Sequence, residues 1–258
     1  MINSVSLVIN YLVNRYCKGI KIQAPPVFIV GSAHSGTSLL LAIMGTHSRI
    51  HPVPFESKIG YKSLKKKLYF WCFNLLAIAH GKSRWIEKTP KHIHCIEQLL
   101  EIDPDAKILL IIRDGRDAAT SFKARFGDLD KGINAWVTDN LAGKQYWDHP
   151  RVMVVRYENL INDIAQTAGK VCAFIGEDFE PALLEYYKEP KYFYSTIIEK
   201  PSSVSGKDHD QYRNWQINQP VFDGRGKWHS LTENEKILIK KTANNLLVEL
   251  GYITGADW

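Results

Sequence analysis

The sequence predicts an α/β protein of three layers, α/β/α, with a central parallel sheet of about four to five strands and helices on both faces. Four short apolar β-type runs, at residues 27–30, 84–87, 107–112 and 151–156, alternate with helical patterns near 37–46, 91–102, 117–126 and 163–176. Strands alternating with helices build parallel sheets covered on both faces. The first run stops at Gly31 and apolar periodicity resumes after Gly36, the pattern of a strand, a tight turn and a helix start. The 258 residues are 45% hydrophobic, enough to bury one large core, and the chain is taken as a single domain over 1–258.

Residues 1–23 place Val5, Val8, Ile9, Leu12, Val13 and Tyr16 at three- and four-residue steps, one face of an amphipathic helix expected to dock on the domain. No basic leader precedes this face and no small-residue cleavage site follows it, which argues against a signal peptide. The segment Gly31-Ser32-Ala33-His34-Ser35-Gly36-Thr37-Ser38 then opens a helix. Free N–H groups and the positive dipole end at such a start make an anion site. Ligands of parallel sheets gather at the carboxyl ends of the strands, where Lys88, Arg113 and Arg156 stand: each of the last three runs ends in a cation. Thr89-Pro90 after Lys88 suits an N-cap and first helical position. Ser121 lies one to two turns into the helix after Arg113, and Tyr157 follows Arg156. Asp223-Gly224-Arg225-Gly226-Lys227-Trp228 is a basic loop whose glycines allow close backbone approach. Thr232 and Glu235 form a capping-box pattern for a last helix reaching about Leu250 and stopping at Gly251.

The net charge of +6 and pI near 9.0 suit an anionic ligand, a nucleic acid or an acidic membrane surface without choosing among them. A nucleic-acid-binding module would need a basic stripe with stacking aromatics, which is not found, so no nucleic-acid partner is expected. The four cysteines, Cys17, Cys72, Cys95 and Cys172, form no C-x-x-C pair and are expected as reduced core residues. The apolar run at 68–79 has 12 residues and contains Asn74, too short to span a bilayer. A soluble, cytoplasmic protein without a membrane span is expected, its oligomeric state open. His92-Ile93-His94-Cys95 lacks zinc spacing, and residues two apart on a helix do not face each other. No metal is expected.

The spacing Gly31-x4-Gly36 is that of a Walker A loop, but Thr37 occupies the lysine position that would reach the β- and γ-phosphates. The third run ends in Arg113 where an NTPase would offer an aspartate for magnesium. A P-loop nucleotide-dependent kinase acting on a small molecule is thus the disfavoured alternative. The loop is instead similar to the 5′-phosphosulfate loop of sulfotransferases that use 3′-phosphoadenosine 5′-phosphosulfate (PAPS). Arg113-Asp114-Gly115-Arg116-Asp117 with Ser121 resembles their 3′-phosphate motif. Glu87-Lys88-Thr89-Pro90 is similar to the E-K-T-P segment of the carbohydrate, tyrosyl-protein and bacterial branches. Tyr157-Glu158-Asn159-Leu160 resembles Y-E-D-L, and Arg225-Gly226-Lys227-Trp228 the G-R-W loop. The five stretches keep family order from about residue 26 to 252.

The resemblance implies a P-loop-like fold and a donor site. Ser35, Gly36, Thr37 and Ser38 would cradle the 5′-phosphosulfate, while Arg113 and Ser121 would hold the 3′-phosphate. Arg225, Gly226 and Lys227 would close over it, with Tyr157 near the adenosine or simply in the core. The desulfated product would be PAP. Many members carry Lys or Arg where this loop has His34; an imidazole contacts the donor only as a cation or a neutral N–H donor. Activity falling as pH rises through the His34 pKa is one expectation, and mere packing beside the loop the other. Sulfuryl transfer needs stabilised charge on the leaving side and a base for the acceptor proton. Lys88 is the candidate for the first. Glu56, in the region where tyrosyl-protein and bacterial enzymes place their catalytic glutamate, is the candidate for the second, with Glu87 its rival. The expected acceptor is a small organic molecule, a secondary metabolite or a sugar, bearing a hydroxyl or amine. It would contact segments 56–83, 125–150 and 191–220, which are rich in aromatic residues (Tyr61, Tyr69, Phe70, Trp71, Trp136, Tyr146, Trp147, Trp215) and include a polar stretch, 207–210, expected as a loop.

Overall fold

The computed structural model describes residues 22–57, 59–61, 66–203, 208–255 and 258. Nearly all of the helix expected over 1–23 lies outside them, with Cys17, Lys62, Lys65 and Lys207. Five strands form one parallel sheet: β1 (Val27–Gly31), β2 (Ile50–Pro52), β3 (Arg84–Lys88), β4 (Lys107–Ile112) and β5 (Val152–Arg156), in the order β2-β3-β1-β4-β5. Around it lie α1 (Thr37–Met44), α2 (Lys66–Ala79), α3 (Ile96–Ile102), α4 (Gly115–Phe126), α5 (Leu129–Lys144), α6 (Tyr157–Asn162), α7 (Ile164–Ile175), α8 (His209–Ile217) and α9 (Glu233–Glu249).

All five residues of β1 are buried, as expected of the middle strand of a sheet covered on both faces. The pleat sends alternate side chains to opposite faces. Phe28 and Val30 enter a cluster with Trp85, Ile108, Leu110, Trp136 and Leu247, whereas Val27 and Ile29 pack with Leu40, Leu109, Ile111, Val171 and Ile175. Two separate cores therefore sandwich the sheet.

The helix signals are local. The Asp114 carboxylate accepts the N–H of Arg116 to open α4, which stops at Gly127 with φ 77°. Asp163 accepts the N–H of Gln166 at the start of α7. Thr232 and Glu235 make the expected reciprocal capping box on α9.

The structure departs from the sequence expectation in three places. The region after Pro90 is a 3₁₀ turn, Pro90–Cys95, before α3 begins. The residues from His209 are helical and not a loop. The three-residue edge strand β2 was not expected at all. Most of the aromatic residues expected near an acceptor are core residues instead. Tyr69, Phe70 and Trp147 pack against the first cluster, and Trp136 is buried in it. Among the described residues no helix is long and apolar enough to cross a membrane.

Candidate active site

The pairing of β1 with β3 and β4 aligns Ile29 with Lys88 and Gly31 with Ile111, so three strands deliver their carboxyl ends to one cleft. Between β1 and α1 the chain turns through Ser32–Gly36. Gly36 has φ 94°, and a Cβ there would lie 2.6 Å from Cδ2 of Tyr157. A side chain is thus excluded by contact as well as by conformation. His34 has φ 65° in the same turn. The Ser35 hydroxyl is buried and has no partner.

Arg113 leaves the end of β4 and is 6% exposed. Its guanidinium donates to the backbone oxygens of His34 (2.9 Å) and Gly224 (2.5 Å) and lies 4.2 Å from the centre of the Tyr157 ring. One cation therefore ties the β1–α1 loop to the 223–228 loop, and its buried Nε has no partner. The second loop is held from below as well: the Asp117 carboxylate accepts the N–H groups of Gly226 (2.9 Å) and Trp228 (3.2 Å). Glu158 accepts from the N–H of Asp114 and the hydroxyl of Tyr252. Trp136 donates its indole N–H to the carbonyl of Arg113.

A cavity of about 840 Å³ joins these groups, lined among others by His34, Gly36, Thr37, Ser38, Arg113, Ser121, Tyr157, Gly226 and Lys227, and by Glu56. Its size is in the range that takes a nucleotide-sized ligand. The buried Lys88 ammonium donates to Oε1 of the cavity residue Glu56 at 2.5 Å, and Arg213 of α8 donates to the same oxygen at 3.0 Å. Burial alone would raise the Glu56 pKa, but Lys88 and then Arg213 outweigh it and hold the carboxyl below its ordinary value. Lys227 is held below the usual lysine value by desolvation at the cavity wall, with Arg113 adding to the effect.

Not every expected residue joins the site. Arg225 turns away: its guanidinium pairs with Asp223 at 2.7 Å and donates to Asn162 at 2.6 Å. Arg156 donates to the carbonyl of Leu250, so only two of the three strand-end cations reach the cleft. Glu87 is fully buried. Its carboxylate accepts from the Ser57 N–H and hydroxyl and from Thr89, and His92 lies 3.2 Å away; it braces the segment that carries Glu56. His34 is not a cation in this cleft. Burial, then the nearby Arg125, His209, Arg113 and Arg213, push its pKa down to about 3. Its Nδ1 lies 3.3 Å from the Ser121 hydroxyl and its ring packs edge-on against Phe122. In the ligand-free cleft, burial and the cationic neighbours favour the neutral imidazole over the cation.

Among the cavity residues not singled out from the sequence are two arginines within the segments expected near an acceptor. Arg125 lines the cavity with a buried Nε that has no partner; its spacing of four from Ser121, one helical turn, was the available signal. Arg213 had none, because it meets Glu56 across 157 positions of chain. Of the three segments expected near an acceptor, 56–83 contributes Glu56 to the cavity wall and 125–150 contributes Arg125, whereas 191–220 brings His209, Tyr212, Arg213, Gln216, Ile217 and Pro220.

A parallel sheet ending in a glycine-shaped anion loop, with cations arriving from the neighbouring strands, defines a phosphate-loop type of α/β protein. Within the chain, residues 55–181 match the model of the sulfotransferase family. A protein-tyrosine sulfotransferase of Drosophila melanogaster is 22% identical over 271 residues, covering 89% of this chain and 52% of that one. The chain spans about half or less of the length of the curated relatives it matches. The same fold occurs in the sulfotransferase domain of the Synechococcus PCC 7002 olefin synthase (17% identity, TM-score 0.55, 87% of this chain and 95% of that one). It also occurs in mouse sulfotransferase SULT7A1 complexed with PAP (16% identity, TM-score 0.55, 87% and 84% covered).

Proposed function

We propose that the protein transfers the sulfonate group of PAPS to a hydroxyl or amine of a small organic acceptor, such as a secondary metabolite or a sugar. The observation that carries this reading is one cavity that brings the glycine loop and a carboxylate together. The glycine loop lines it together with Glu56, which is held by the buried Lys88 ammonium behind it and lies close to Ser38 across Arg213. The residues fit the donor: the Ser35 hydroxyl and Arg113 Nε are buried polar groups without partners, and Gly36 lets the Tyr157 ring close against the loop. No metal is called for by this chemistry.

PAPS, when bound, supplies an activated sulfonate on a phosphate leaving group. The backbone N–H groups of Ser35 to Ser38 and the hydroxyls of Thr37 and Ser38 would hold its 5′ end, the start of α1 adding a favourable dipole. Arg113, Ser121 and Lys227 would hold the 3′-phosphate, with Arg225 confined to shaping the loop. Lys88 would stabilise charge on the leaving side, and Glu56 would take the acceptor proton. A base of this kind contributes roughly 10²–10⁴-fold.

The test is transfer of label from [³⁵S]PAPS to a panel of phenols, alcohols, amines, sugars and peptides, beside calorimetry with PAP. Glu56→Gln is expected to lose activity on that scale while PAP affinity holds. A parent protein that binds no PAP would end the reading, and near-parental turnover of Glu56→Gln would move the base elsewhere.

A further inference from the structure

The cradle has a charge gap. His34, the one titratable side chain within the loop 32–38, is pushed toward neutrality by burial and by its cationic neighbours. In the reading above Arg113 serves the 3′-phosphate, and Lys88, bound to Glu56, serves the leaving side. Of the two further guanidinium groups on the cavity wall, Arg125 and Arg213, Arg213 is the one that hydrogen-bonds to both the loop and the carboxylate. Arg213 places Nη2 3.4 Å from the Ser38 hydroxyl and 3.0 Å from Oε1 of Glu56, and its guanidinium stacks 3.8 Å from the centre of the Tyr194 ring. Tyr194 donates its own hydroxyl to Ser38 at 3.1 Å, so ring and guanidinium form a plate over the first turn of α1. Stacking of this kind fixes a planar cation while leaving its edge donors available.

We propose that Arg213 is the catalytic cation for the transferred sulfonate, delivered by α8 from outside the phosphate loop. This rests on the sulfuryl-transfer reading above. In the transfer, the S–O bond to the donor phosphate breaks and that oxygen keeps the electron pair. A new S–O bond forms to the acceptor oxygen, whose proton passes to Glu56. Arg213, between Ser38 and Glu56, faces the sulfonate oxygens as bonding changes on both sides of the sulfur.

The same contact has a second effect. In the donor-free cleft Arg213 occupies Glu56 and helps to depress its basicity; a sulfonate that draws the guanidinium toward Ser38 leaves Glu56 to Lys88 alone. Donor binding thus prepares the base. The charged and titratable groups around this pair are Lys88 from β3, Arg125 from α4, His34 from the loop, and His209 and Asp210 from α8, the last 3.6 Å from Arg213.

The experiment compares Arg213→Gln and Arg213→Lys with the parent, using PAP and PAPS as probes. Arg213→Gln is expected to lower kcat by about 10²-fold or more, the scale of removing one donor to a developing charge, with PAP-induced thermal stabilisation retained. Arg213→Lys recovers part of that loss. Intact PAPS loses more affinity than PAP in the Gln variant. The acid limb of kcat/KM for PAPS, which reports the donor-free enzyme, moves to higher pH, because a carboxylate relieved of a neighbouring cation takes up its proton sooner. Parental kcat, an unmoved acid limb and equal loss of PAP and PAPS affinity would each overturn the assignment. Should the parent bind neither PAP nor PAPS, the donor reading falls and this inference with it.

Discussion

Replacing Arg113 by alanine is the sharpest perturbation available, because one side chain carries the loop contacts and, in the proposed reading, a ligand contact. The guanidinium is buried, stacked on Tyr157 and bonded to the carbonyls of His34 and Gly224. A bidentate, charge-assisted pair with a phosphate contributes roughly 1.5–3 kcal/mol. At about 1.4 kcal/mol per tenfold, Arg113→Ala should weaken PAP binding by about ten- to a hundredfold. The two backbone contacts are separate and act without ligand. Losing them, at about 1 kcal/mol each, should lower the unfolding free energy of the empty protein by about 2 kcal/mol. Calorimetry with PAP measures the first quantity and urea denaturation of the ligand-free protein the second. A variant with reduced stability but unchanged PAP affinity would refute the ligand role and leave Arg113 a loop clamp.

Three further outcomes are expected. His34 has its folded pKa pushed down to about 3, so the unfolded chain binds a proton that the folded chain refuses below the unfolded value near 6.5. Stability should therefore fall as pH drops from about 6.5, by roughly 1–2 kcal/mol at pH 5. Denaturation of His34→Gln showing the same loss over that window would count against the buried neutral imidazole. Gly36→Ala sets a Cβ 2.6 Å from Tyr157 at φ 94°, and the loop or the ring must shift; thermal stabilisation by PAP should largely disappear. Asp117→Ala frees the N–H groups of Gly226 and Trp228, so PAP should bind more weakly while Glu56 chemistry at saturating donor is preserved, a rise in KM for PAPS with little change in kcat.

The sequence disclosed what is local and repeated. Strand runs, the glycine turn and the Thr232 box depend on neighbours a few positions apart, and each formed near where its residues predicted. The edge strand β2 escaped because three residues ending in Pro52 carry no periodicity, and their pairing with β3 is a tertiary fact. The strand-end rule placed Lys88 and Arg113 correctly but could not see that Arg156 would be taken by the carbonyl of Leu250. Aromatic content misled for a related reason. Trp136 and Phe70 look like ligand platforms in a list of residues, yet burial in the core outweighs exposure at a cleft. The Arg213–Glu56 contact lies beyond any motif, since the distance that matters is through space.

The strand order has a metric consequence. β1 separates β3 from β4, and each interstrand step is about 4.8 Å, so the ends bearing Lys88 and Arg113 stand roughly 10 Å apart. Backbone hydrogen bonds, which neither side-chain packing nor lid position can stretch, fix that interval. The sheet thus acts as a ruler. Donor analogues that lengthen or shorten the span between their two anionic ends should be rejected by geometry even when both charges are retained.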